Sequence, residues 1–379
     1  MALLSKLKYS LWTDKPMDDF EDSELDVQLW TAALNELRTK MGGRDMCVYS
    51  TVPWLFEECY LYRRVREAMV IPHRATALGV SEPLDPFAQK KHTAWAQSAA
   101  PVATATERYR KSRQDERSYD EQLAGLILAS LWGNRNDLSL HINTAVDNSA
   151  VETDVTEYSS SHVLVDHVSA IVECVKDIGD ESARIDIILD NAGFELFNDL
   201  LLADHLTRAG KNVKVYLHVK QFPWFVSDAT ETDVMQTIDE MRRSENEDSQ
   251  WLGGRLKENL ASQKWVITTH TFWTLWNDYH HMESVAPDLF AELSKSQLLI
   301  FKGDLNYRKL LGDRPFPARE AFADCAPKFG SAPYCALRTN KSEVICGLSE
   351  ETLASVSDGP NNDWMVTGDY GVVQFYPAP

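Results

Sequence analysis

Arg184–Leu196 reads RIDIILDNAGFEL, and the fold turns on how this stretch is understood. Ile185, Ile187, Ile188 and Leu189 form a short apolar run of the kind that parallel sheets bury on both faces. Asp190 and Asn191 follow at once, Gly193 supplies a tight turn, and Phe194, Leu196, Leu200, Leu201 and Leu206 then recur with a helical period. A carboxylate and an amide at the carboxyl end of a buried strand, beside a helix start, stand where open α/β sheets hold their ligands. The same pair also suits an ordinary strand-to-helix turn in which Asp190 only caps the helix.

Downstream the alternation continues, as an α/β protein requires. Helix 194–209 ends at Gly210, and strand 213–219 (VKVYLHV) runs into a loop at Lys220–Ser227. Helix Thr232–Ser244, the acidic polar loop ENEDSQ, strand 265–269, helix 284–295 and strand 298–302 come next. Short strands are expected near Ala336–Leu337, Val344–Cys346 and Val372–Tyr376. Upstream the pattern is helical: Ser23–Lys40 with Ser23 as N-cap, a segment after Pro53, another from Asp85 through Trp95, then Ser118–Leu131 and His162–Asp177. Between the last two, WGNRNDLSL (132–140) clusters amides and acids, and 142–161 reads as a polar, Thr/Ser-rich excursion. The expectation is a helical region over 1–140 followed by a three-layer α/β/α domain with a mainly parallel sheet over 141–379.

A net charge of −19 argues against a wide nucleic-acid footprint, since phosphate backbones demand a basic surface. A small anionic substrate stays compatible, because a metal and a few cations reverse the local field. The six cysteines form no CxxC pair and no zinc spacing, which points to reduced thiols. No apolar run approaches 18 residues and no secretory h-region opens the chain, so no membrane partner and a cytoplasmic location, with nuclear presence too, are expected. Nothing in the sequence speaks to oligomeric state.

Three acids stand at or just beyond strand ends: Asp190, Asp228 in FVSDAT, and Asp304. Right-handed crossovers bring the carboxyl ends of parallel strands to one edge, so these acids are expected to converge there. Two carboxylates with the Asn191 carbonyl make an all-oxygen set suited to Mg²⁺ or Mn²⁺. Glu195 is either a further member or a first-turn acid favoured by the helix dipole. Lys302, Arg308, Arg338 and Lys341 are the cations for an anionic substrate, joined by Asn306 and the N–H groups of the helix beginning near Asp304. Lys302 and Arg308 also have plain readings, as a strand-end lysine and a helix-surface cation. Asn134 and Asp137 are candidates for sugar-hydroxyl contacts or simple turn residues. With no HExxH, GxSxG, Walker A or GxGxxG, zinc protease, serine hydrolase, nucleotide triphosphatase and Rossmann dehydrogenase readings lose their main support; His280-His281 reads as surface.

Taken together, PWLFEECYLYRR (53–64), WGNRNDLSL (132–140), DNAGFEL (190–196), FVSDAT (225–230), IFKGDLNYRKLLGD (300–313) and RTNK (338–341) resemble the metal-dependent damage-control phosphatases, the DUF89 family. RTNK in particular is similar to the RTxK signature of the subfamily holding sugar-phosphate phosphatases and relatives described as protein carboxyl methyltransferases. The resemblance runs over about residues 50 to 379 and leaves the first stretch without a family anchor. It implies a hydrolase of small phosphate monoesters, fructose 1-phosphate being typical, dependent on Mn²⁺, Co²⁺ or Ni²⁺, with Mg²⁺ also in view. It implies metal ligands at Asp190, Asn191 and Asp228, and substrate contacts by Asp304, Leu305, Asn306, Tyr307, Arg308 and Lys341. Two mechanisms stand: attack by a water deprotonated by Asp190 or Asp304, or direct attack by an aspartate to give an acyl-phosphate. Two other functions stand beside the phosphatase. An S-adenosylmethionine-dependent carboxyl methyltransferase is suggested by the relatives, although no glycine-rich loop is present to cradle that cofactor. A non-catalytic binding protein on the same fold is the other.

Overall fold

The computed structural model describes residues 2–76, 84–113, 118–133, 162–178, 182–210, 212–357 and 363–377. Asn134, Asp137 and the 142–161 excursion lie outside the described residues.

Among the described residues the apolar runs form one mixed sheet of seven strands, in the order β1-β7-β6-β5-β2-β3-β4. The strands are β1 Val163–Asp166, β2 Ser182–Ile188, β3 Asn212–Val219, β4 Trp265–Thr269, β5 Leu298–Lys302, β6 Tyr334–Thr339 and β7 Gly371–Tyr376. Every neighbouring pair is parallel except β6 and β7. From β2 the chain winds outward through β3 and β4, then crosses back to lay β5 on the other side of β2. The strand order thus reverses between β2 and β5, with Ile188 registered against Phe301. Open α/β sheets leave a crevice at the carboxyl ends of such a pair.

Each face of the sheet carries its own core. On one, Ile185, Ile187, Val215, Leu217 and Ile300 pack under the helices Ala99–Ser112, Tyr119–Trp132, Val168–Lys176, Phe194–Leu206, Glu231–Arg243 and Glu247–Ala261. On the other, Ile188, Leu299 and Phe301 meet Tyr279, Tyr307, Phe329 and Tyr334. A third cluster joins the N-terminal helices to the sheet edge: Trp30, Phe56 and Tyr60 pack with Trp224, Leu275 and Leu305. Burial of each such side chain stabilises by about 1.5–3 kcal/mol. Arg63, fully buried, ties this third cluster together through Asp22 and Asp26 at 2.6–2.9 Å.

Five expectations need correction. The helix expected over Ser23–Lys40 begins only at Val27 and runs to Met41, with Asp26 rather than Ser23 at its N-cap position. His162–Asp177 is not one helix: Val163–Asp166 is β1, paired with β7, and the helix occupies Val168–Lys176. The polar ENEDSQ is not a loop between elements, because the helix Glu247–Ala261 begins inside it, capped by the Asn246 side chain on the Ser249 N–H. Val344–Cys346 forms no strand; its carbonyls serve side chains instead, Val344 accepting from Arg338 and Cys346 from Gln374. Helix 284–295 splits into Met282–Val285 and Pro287–Leu293, with proline opening the second.

Candidate active site

At the end of β2 the chain does not simply turn into a helix. Asn191 forms an isolated backbone bridge with Asp228, and two further bonds clip the loops together: Ala229 N–H to the Asp190 carbonyl and Ala192 N–H to the Ser227 carbonyl, both 2.7 Å. Gly193, at φ +82°, then opens the helix Phe194–Leu206. Asp228 arrives through a strained turn, since Phe225 and Val226 hold φ of +43° and +68°. Positive φ at a β-branched residue costs of order 1–3 kcal/mol, and packing must hold it there. Phe225 is stacked on Tyr62 at 4.6 Å, while Trp54 meets it edge-on at 6.4 Å. The helix Trp54–Thr76, from the PWLFEECYLYRR stretch, therefore braces the turn that delivers Asp228.

Asp190, Asn191 and Asp228 are all buried and converge. The Asn191 amide nitrogen donates to Asp190 Oδ2 and to Glu195 Oε2, each at 2.8 Å, and its Oδ1 accepts from the Ser227 hydroxyl at 2.5 Å. Lys220, at the end of β3, places its ammonium 2.9 Å from Asp228 Oδ2 and 3.2 Å from the Leu189 carbonyl. Behind Asn191, Lys302 sits wholly buried, 3.3 Å from Glu195 Oε1 and 3.2 Å from Asp199 Oδ1. Its ammonium donates to the Ser130 carbonyl at 2.6 Å, and the Ser130 hydroxyl donates to Asp199 at 2.5 Å. Burial, reinforced by the neighbouring Glu195, pushes the Asp199 carboxyl up to about 7. Two acids facing the Lys302 ammonium outweigh its desolvation and raise it above its ordinary value.

Across the switch point, β5 ends at Lys302 and the helix Gly303–Leu310 starts immediately. Asp304, in its first turn, does not join the Asp190 cluster through any of these bonds. Its Oδ1 accepts from Arg338 Nε at 2.7 Å, the Lys341 N–H at 3.3 Å and the Ser342 hydroxyl at 3.1 Å. Arg338 is fully buried and also holds the Ser342 and Val344 carbonyls, so RTNK is anchored to Asp304 by its arginine. Lys341 is thereby fixed by its backbone beside Asp304.

The other candidates separate by side chain. Asn306 is buried, donating to the Lys302 and Ile188 carbonyls at 2.7 and 3.4 Å and accepting from the Tyr279 hydroxyl at 2.5 Å. Tyr307 points into the second core, 3.8 Å from Cys346 Sγ, and Leu305 packs in the third. The side chains of these three residues are turned into the protein, and the Asn306 and Tyr307 N–H groups close the first helical turn, which leaves the N–H groups of Gly303, Asp304 and Leu305 as what the helix start offers an anion. Arg308 is half-buried, bonded through Nε to Asp313 at 2.6 Å, with its guanidinium 3.3 Å above the Trp54 ring. Ser227 and Lys220 were missed in the sequence, although each had a signal: Ser227 adjoins Asp228, and Lys220 ends β3 as Lys302 ends β5.

The donor chemistry fits a hard divalent cation: two carboxylates and one amide oxygen, held on clipped loops. Gly303 makes the cradle possible, since a Cβ there would lie 1.8 Å from Asp190 Oδ2. Among the described residues no group of three His, Cys, Asp or Glu side chains is placed to hold a metal, and this set has only two acids beside its amide.

An open α/β sheet with acids from two loops gathered at its switch point defines a ligand-binding or hydrolytic α/β protein. The family description "Damage-control phosphatase ARMT1-like domain" matches residues 1–356, and the chain belongs to that family. That match takes in the N-terminal residues which the sequence motifs left unanchored. Damage-control phosphatase ARMT1 of Xenopus laevis is 35% identical over 393 residues, covering 99% of this chain and 86% of the relative. The protein of the same description from Homo sapiens is 35% identical over 395 residues with the same coverage. A crystal structure of a DUF89 family protein from Pyrococcus horikoshii covers 92% of this chain and 95% of its own, at 15% identity and a TM-score of 0.45. At that score the structural likeness carries no argument; membership rests on the sequence matches. Membership in this family makes the chain a phosphatase.

Proposed function

We propose that the chain hydrolyses small phosphate monoesters, sugar phosphates such as fructose 1-phosphate above all, in metabolite damage control with Mn²⁺, Co²⁺ or Ni²⁺ as cofactor. The observation that carries this reading is the convergence of Asp190, Asn191 and Asp228 beside the N-terminus of the Gly303–Leu310 helix. Asp190, Asn191 and Asp228 would hold the divalent cation. When bound, that cation supplies Lewis-acid polarisation of the phosphoryl group. The residues of the chain do the rest.

The first-turn N–H groups of Gly303, Asp304 and Leu305 have no partner within the helix and would neutralise phosphate oxygens, with the dipole adding to the effect. Lys341, tethered through its backbone to Asp304, brings an ammonium to the same charge. Asp304 spends Oδ1 on Arg338, Lys341 and Ser342, so its other oxygen is oriented to take the proton of an attacking water. Lys220, 2.9 Å from Asp228 Oδ2, holds that carboxylate at its post. The sugar is selected elsewhere, with Asn134 and Asp137 the candidates for its hydroxyls.

The test is a panel of phosphorylated sugars and nucleotides assayed with Mn²⁺, Co²⁺, Ni²⁺ and Mg²⁺. Metal-dependent release of phosphate from ketose and aldose monophosphates is the expected result. No release from any monoester with any of these metals would refute the proposal.

A further inference from the structure

The buried ion cluster behind Asn191 has no direct part in the chemistry above, and it controls one thing that chemistry needs. Carboxylate oxygens only accept hydrogen bonds. The Asn191 nitrogen lies between two of them, Asp190 Oδ2 and Glu195 Oε2, so both amide hydrogens are used and the group has one orientation. Oδ1 is left on the opposite side, at the Ser227 hydroxyl beside Asp228. Turned over, the amide would point its oxygen at two acids. Glu195 cannot drift from this post: it is buried and its other oxygen, which takes no hydrogen bond, lies 3.3 Å from the Lys302 ammonium. Lys302 in turn faces protein acceptors, which among the described residues are Glu195, Asp199 and the Ser130 carbonyl.

We infer that Glu195 and Lys302 are positioning residues for Asn191, fixing which end of its amide is presented to the cation. The inference rests on Asn191 being a metal ligand. It makes a counterintuitive demand of the nearly isosteric variant Glu195→Gln. The Lys302 ammonium would claim the new Oε1, which leaves an NH₂ facing Asn191; two donors then oppose each other and Asn191 must turn over. Ligand geometry is lost although no volume has changed. Removing the ammonium in Glu195→Gln/Lys302→Met frees the glutamine to turn its oxygen back toward Asn191.

The experiment is calorimetric titration of the metal-stripped full chain with Mn²⁺, which needs no turnover, with folding checked by far-UV circular dichroism. Residues that orient metal ligands are typically worth about 10–100-fold in affinity. Glu195→Gln should therefore weaken Mn²⁺ binding by about tenfold or more, and the double variant should recover to roughly threefold of wild type. Wild-type affinity in Glu195→Gln overturns the inference, as does a double variant no tighter than the single one. Should Glu195→Gln fail to fold, the double variant decides alone, and a loss of about tenfold or more in it overturns the inference. Failure of the underlying reading looks different: wild type does not bind Mn²⁺, or Asp190→Ala binds it equally well, and the inference then falls with it.

Discussion

Gly303→Ala adds a single methyl group where the helix Gly303–Leu310 begins against the Asp190 carboxylate. In the wild type the position holds φ +82°, and a Cβ built there lies 1.8 Å from Asp190 Oδ2, 2.2 Å from its Cγ and 2.8 Å from its Cβ. Side-chain contacts essentially never fall below 3.0 Å, so Asp190 Oδ2 must retreat by at least the difference, about 1.2 Å. Ligand distances in metal sites tolerate only about 0.2 Å, so a shift of that size would remove Asp190 from the proposed donor set. The left-handed backbone adds about 1–2 kcal/mol of strain to the folded state. The substitution should thus lower kcat by about a hundredfold and Mn²⁺ affinity by about tenfold or more. The accompanying loss of stability should be only about 1–3 kcal/mol. Phosphate release, Mn²⁺ titration calorimetry and thermal unfolding on one preparation measure all three. A folded Gly303→Ala protein with wild-type Mn²⁺ affinity would refute the reasoning that Asp190 occupies the cradle as a ligand.

Further expectations concern the rest of the molecule. Lys341→Ala should raise KM by about tenfold with a smaller change in kcat, since in the proposed role its ammonium would bind phosphate in ground and transition state alike; steady-state kinetics with an unchanged KM would remove it from the phosphate site. Asp204 is a buried acid held by Tyr109, Arg113, Arg255 and Asn259, tying three helices together. Asp204→Ala strands two arginines and should cost about 3–5 kcal/mol in urea unfolding, and a loss under about 1 kcal/mol would contradict that accounting. Burial, with Arg208 and Arg113 adding to it, pulls the His205 imidazole down to about 4. The ring is neutral in the fold, while in the unfolded chain it takes a proton below about pH 6.5, so stability present above that pH is lost as pH falls toward 4. The loss amounts to about 3 kcal/mol, and His205→Gln should flatten this part of the stability profile; a slope unchanged by the substitution would exclude His205 as its source.

Where burial dictated residue type, the sequence could be read directly. The strands β2 and β5 lie in the middle of the sheet, covered on both faces, and so appear as largely apolar runs with Asp190 and Asp304 just beyond. Other elements hide behind competing signals. Val163–Val165 continues a helical period and reveals itself as β1 only through pairing with β7. Gly253-Gly254 argues against a helix from sequence, yet Gly253 is what lets Glu247–Ala261 pack on its neighbour: a Cβ there would lie 2.7 Å from the Arg242 nitrogen. At the site, Asp190, Asn191 and Asp228 were legible as strand-end residues. The turn that presents Asp228 was not, because nothing in FVSDAT announces positive φ at Phe225 and Val226. KGDLNYR shows the same limit. A motif names residues without saying which way they face, and here the Asn306 and Tyr307 side chains turn inward. Lys302 read as a substrate cation, and only the fold puts Glu195 and Asp199 around it.

The central claim is that a divalent cation held by Asp190, Asn191 and Asp228 makes this chain a phosphatase. The most direct measurement is phosphate release from fructose 1-phosphate by the metal-stripped protein as Mn²⁺ is added back, in wild type, Asp190→Ala and Asp228→Ala. The account predicts saturable activation of the wild type and at least about a hundredfold less activity in either variant at saturating metal. Full metal-dependent activity in a folded Asp190→Ala or Asp228→Ala protein would contradict it.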